Sequence, residues 1–83
     1  MGLTKRQIAY KYLLEKRSGY RDELISVITD ELFEEFCLIG FITEGMDGEW
    51  NERWRLTDFG ESQITSHFRF IKVTERLKNL NIA

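Results

Sequence analysis

The sequence predicts an α+β domain, mostly helical, in which helices precede and follow a single β-hairpin. Three observations carry that reading. Apolar residues recur at helical spacing through the first 40 positions. Two short runs rich in β-branched and aromatic residues, "FITE" (41 to 44) and "RWRLT" (53 to 57), flank a stretch with two glycines. From residue 58 to about 80 only Gly60, near the start, weakens a helix. The chain has 83 residues, enough for one domain with a modest core.

Residues 4 to 17 read as the first helix. Thr4 is its expected N-cap, and Ile8, Tyr12, Leu13 and Leu14 form its expected inner side. Ser18-Gly19 stops it, with glycine suited to a left-handed position after a helix end. Residues 20 to 28 read as a shorter helix with Asp22 and Glu23 in the first turn, where the helix dipole favours carboxylates. Thr29 or Asp30 reads as a fresh N-cap for a third helix running to about Ile39. Leu24, Ile28, Leu32 and Phe36 recur every four residues, so one continuous helix over 20 to 39 also satisfies the pattern.

Gly40 ends that helix, and residues 41 to 57 form the hairpin around "GMDGEWNE". Thr57 or Asp58 caps the last helix, with Glu61 in capping-box spacing from Asp58. At 1.5 Å per residue this helix would reach roughly 33 Å, long for a domain of this size. Ile64, Phe68 and Ile71 make a stripe suited to the core. Phe70, Val73, Leu77 and Leu80 are spaced 3, 4 and 3 apart, a heptad-like seam that calls for a partner. A homodimer through residues 57 to 83 is the expectation.

Composition excludes several classes. Hydrophobic residues are 42% and charged residues 31%, too apolar for a disordered chain. The net charge of −2 gives no overall basic field. Cys37 is the lone cysteine and His67 the lone histidine, so neither a disulfide within the chain nor a histidine metal cluster can form. Cys37 reads as a small core filler and His67 as a helix-surface residue. No apolar run approaches a membrane span, and the first ten residues lack a signal peptide's apolar core. A cytoplasmic protein is expected, with no membrane contact, cofactor or metal. No phosphate loop, HExxH, CxxC or nucleophile–base pair is visible, so an enzyme is not expected.

The step Gly40-Phe41-Ile42 and the return Leu56-Thr57-Asp58-Phe59-Gly60-Glu61 resemble the winged helix-turn-helix domains of the small MarR- and PadR-like bacterial transcriptional regulators. The resemblance covers most of the chain and rests chiefly on residues 31 to 61. It implies a single winged-helix domain over 1 to 83, double-stranded DNA as ligand, and a third helix that enters the major groove.

The residues argue against that last implication. Asp30, Glu31, Glu34 and Glu35 share most of the face opposite Leu32, Phe36 and Ile39, and no Lys or Arg occurs from 22 through 52. Phosphates repel such a face. The expected DNA contacts are therefore Arg53 and Arg55 on the wing, Asn51 near its tip, and Lys5 and Arg6 on the first helix. The two wing arginines could instead pair with Asp47, Glu49 and Glu52 across the hairpin. Trp54 alternates with them and is expected to face the core. The competing function is a winged-helix protein-interaction module without DNA. There, Glu31, Glu34 and Glu35 would meet a basic protein partner, and the seam from Phe70 to Leu80 would bind another chain.

Overall fold

A computed structural model describes the backbone of residues 2–81 and the side chains of residues 2–72. The order is α1 (Lys5–Lys16), β1 (Ser18–Tyr20), α2 (Arg21–Val27), α3 (Asp30–Leu38), β2 (Ile42–Met46), β3 (Glu52–Leu56) and α4 (Asp58–Asn81). The fold is α+β and mostly helical, with one small antiparallel sheet in the order β1-β3-β2.

Thr4 caps α1 as expected. Its hydroxyl accepts from Gln7 N (3.1 Å), and the Gln7 side chain accepts from Thr4 N (2.9 Å), closing a capping box. The end of α1 departs from expectation. The left-handed residue is Arg17 (φ 65), not Gly19. Gly19 belongs to β1, a strand missing from the sequence reading, and lies opposite Trp54. A Cβ at Gly19 would stand 3.2 Å from Trp54 Nε1. A Cβ there would press on the indole beneath the strand, so this glycine matters at the sheet and not at the helix end.

The 20 to 39 region resolves into two helices. Ile28 breaks the run, and the Thr29 hydroxyl accepts from Leu32 N (3.1 Å) to start α3. The inward face of α3 is Phe33 and Phe36. Leu32 is only half-buried and Ile39 is 44% exposed, so the expected face was rotated by about one residue. On α1 the same correction applies: Ala9, Tyr10 and Leu13 are buried, while Ile8 is 47% exposed. Three-and-four spacing permits both faces, and the neighbouring elements choose between them.

The core joins Ala9, Tyr10, Leu13, Leu24, Ile28, Phe33, Phe36, Ile42, Trp54, Leu56 and Ile64. Tyr10, Phe36 and Phe41 pack as tilted or stacked rings 5.7 to 6.0 Å apart. Trp54 faces inward as expected. Thr57, not Asp58, caps α4: its hydroxyl accepts from Gly60 N (2.9 Å) and donates to Gly40 O (2.6 Å). Glu61 takes no part in a capping box. Its carboxylate lies 2.8 Å from Arg17, clamping the end of α1 to the start of α4. Gly60 sits directly on the chain at Phe41, where a Cβ would come within 2.3 Å of the carbonyl oxygen.

At 24 residues α4 is about 36 Å long. The molecule measures 58 Å in its longest direction and 23 by 19 Å across. Ile64 is fully buried and Phe68 packs against the core, as the first stripe requires, while Ile71 is half-buried and stands outside the core cluster. Phe70 is 70% exposed. The seam residues Val73, Leu77 and Leu80 lie outside the described side chains.

Candidate functional site

The sheet register divides β3 between two faces. Trp54 lies between Gly19 and Glu44, and this row faces the helices: Glu44 accepts from Cys37 Sγ of α3 at 3.5 Å. The flanking rows face away. Arg55 lies between Ser18 and Thr43, and Arg53 between Tyr20 and Gly45. No carboxylate stands in either outward row. Arg53 rests its guanidinium 4.6 Å above the Tyr20 ring, a cation–π contact that fixes an otherwise flexible side chain. Arg55 is exposed. Among the described residues, neither arginine has an ion-pair partner within 4 Å, so the expected pairing across the hairpin does not form.

Two of the three acids that could have paired with them are engaged elsewhere. Glu52 lies 3.5 Å from Arg21. The Asp47 carboxylate accepts from Glu49 N (2.8 Å), Asn51 N (3.0 Å) and Asn51 Nδ2 (3.3 Å). These bonds, those from the backbone of Asn51 and Glu49 first, hold the Asp47 carboxyl below its ordinary range, with Arg53 adding to the effect. The turn therefore closes on Asp47. Asn51, a sequence candidate for DNA contact, spends its side-chain amide on holding that turn. Trp50 takes the left-handed conformation (φ 65), although glycines stand nearby.

The first-helix candidates separate. Lys5 is exposed. Arg6 reaches across to α3, with Nη2 2.9 Å from Glu35 Oε2. Hydrogen bonds to Tyr10 and Glu35 push the Arg6 guanidinium above its ordinary value. Arg21 covers the Phe33 ring at 5.0 Å and comes within 3.9 Å of Asp30. Two of the four acids of α3 are thus faced by arginines from α1 and α2. Glu31 and Glu34 are exposed and have no ion-pair partner among the described residues. One helical turn on, Leu38 continues their ridge at 87% exposure. Leu38 escaped the sequence reading because an isolated leucine at a helix end carries no outward signal. Ser18 and Tyr20 escaped it because β1 was not anticipated.

Of the two lone residues, Cys37 packs against the core as expected, and His67 departs from the expected helix surface. His67 is half-buried, stacked edge-on to Tyr10 at 5.4 Å, and its Nε2 is buried without a hydrogen bond. Cys37 is half-buried beside Glu44, and burial first, then the carboxylate, pushes its thiol up to about 11. Among the described residues no group of three or more His, Cys, Asp or Glu is placed to hold a metal ion. No helix among them is long and apolar enough to cross a membrane.

No protein-family profile matches this chain, and no curated protein matches it in sequence.

Proposed function

We propose that this chain is a winged-helix regulator of the kind the MarR- and PadR-like families represent, and that it holds double-stranded DNA by its phosphates through the wing sheet while α3 stays out of the groove. The element order, with three helices, a hairpin and a long closing helix, supports the winged-helix reading. The observation that carries the DNA contact is the outward pair Arg53 and Arg55 on a carboxylate-free sheet face. Two residues along a strand span about 6.7 Å. That spacing suits neighbouring phosphates, and the Ser18 and Thr43 hydroxyls beside Arg55 add neutral donors. The contact is electrostatic and carries little sequence preference. Specificity would come from DNA shape or from a partner.

Fluorescence anisotropy with a labelled duplex at several salt concentrations tests the reading. Arg53→Ala/Arg55→Ala is expected to weaken binding equally for unrelated sequences and to reduce the salt slope by about two. Unchanged affinity in that variant would remove the proposed surface.

A second reading, a protein-interaction module, is favoured by α3 itself. Its outward ridge of Glu31, Glu34 and Leu38 is acidic with an exposed apolar end, the chemistry of a docking face for a basic protein segment. Absence of duplex binding at low salt would favour this reading over the first.

A further inference from the structure

We propose that the α3 ridge is covered by the basic part of α4 from a second copy of the chain. This rests on the homodimer expected from the α4 seam and names the surface against which that seam packs. The two surfaces are complementary in charge. The ridge presents Glu31 and Glu34, which have no ion-pair partner among the described residues, while Arg6 and Arg21 are taken by Glu35 and Asp30. On α4, Arg69 and Lys72 are exposed and have no ion-pair partner among the described residues, and Arg76 and Lys78 follow in the sequence. The two surfaces also match in apolar content. Leu38 at 87% and Ile39 at 44% end the ridge, and Phe70 stands at 70% exposure between Arg69 and Lys72.

Reach is the third argument. Ile64 and Phe68 anchor the first part of α4 to the core, and the helix continues to Asn81 in a molecule 58 Å long and only 23 by 19 Å across. A helix that overshoots its own domain can lie on a neighbour. In a two-fold pair each chain gives its α4 and receives its partner's on α3, so the contact forms twice and closes. Charge complementarity fixes the register, and apolar contacts at Leu38 and Phe70 supply the burial. The arrangement also occupies the face that the fold would otherwise turn toward a groove.

Charge exchange tests this in sedimentation equilibrium of the full chain, without DNA. Glu31→Lys/Glu34→Lys is expected to weaken self-association by about tenfold or more, and Arg69→Glu/Lys72→Glu by a similar factor. Combining all four substitutions in one chain should restore association to within roughly threefold of the original. Circular dichroism melts confirm that each variant folds. If the four-fold variant stays as weak as either pair, the contact is not α3 against α4. If Glu31→Lys/Glu34→Lys dimerises normally while Phe70→Glu does not, the seam stands and its placement on α3 is wrong. A wild-type monomer at tens of micromolar would overturn the homodimer and this interface together.

Discussion

The third helix and the third strand are built alike and finished oppositely. Each buries aromatic weight on one side: Phe33 and Phe36 on α3, Trp54 with Leu56 on β3. Each presents charge on the other: Glu31 and Glu34 on α3, Arg53 and Arg55 on β3. The inner sides make the fold and the outer sides decide what it can touch. On the proposed winged-helix reading, the helix placed to read bases carries charge that would repel phosphates, while the strand beside it carries charge that would attract them. Topology alone therefore does not say which element meets a ligand.

The largest expected effect separates inner from outer on α3. Phe36→Ala should cost about 3–5 kcal/mol in urea denaturation, because it opens a cavity among Tyr10 and Phe41. Leu38→Ala, two residues on, should change monomer stability by less than about 0.5 kcal/mol. Similar losses from both would mean that Leu38 is covered within its own protomer.

Next comes the join between the sheet and α4. Gly60→Ala should cost about 1–3 kcal/mol, since its Cβ has no room against the Phe41 carbonyl and the obstacle is backbone. Thr57→Ala should cost about 1 kcal/mol through loss of the α4 cap, with the bond to Gly40 lost as well. Thermal or urea unfolding of both variants checks the order. A neutral Gly60→Ala would mean that α4 is free to shift away from the start of β2.

The smallest effect concerns Cys37, the residue that ties α3 to the sheet through Glu44. Its thiol, raised to about 11 by burial and then by that carboxylate, stays protonated at neutral pH. Alkylation by iodoacetamide at pH 8 should be much slower than in the denatured chain. The unfolded thiol releases its proton at lower pH than the folded one. Its contribution is therefore fully present below about pH 8.5 and is lost as pH rises towards 11. Equal alkylation rates folded and unfolded would show that the α3–sheet contact opens freely.

Much of the fold was legible because it is written locally. The Thr4 cap, the Thr29 cap, Gly40 (φ 82) and the hairpin follow from neighbours in sequence. Most of the misses depend on residues far apart. β1 exists because Ser18–Tyr20 pairs with Arg53, Trp54 and Arg55, a partnership of three residues with no periodicity of its own. The inner faces of α1 and α3 were displaced because packing, not spacing, chose Tyr10 and Phe33. At the candidate site, the outward direction of Arg53 and Arg55 followed from strand alternation. The loss of Arg6 to Glu35 and of Asn51 to the turn did not, because both depend on side-chain partners supplied by folding.

The contrast between α3 and β3 is tested most directly by neutralising the helix. Glu31→Gln/Glu34→Gln/Glu35→Gln keeps the shape of the ridge and removes its charge. Anisotropy titrations of this variant and the wild type should be made against a random duplex and against any duplex the protein selects from a pool. If α3 stays out of the groove, duplex affinity in the variant equals or exceeds that of the wild type and remains dependent on Arg53 and Arg55. Loss of tight, sequence-selective binding in a folded variant that self-associates like the wild type would contradict this, because it would place those carboxylates against base edges, accepting from cytosine amino groups.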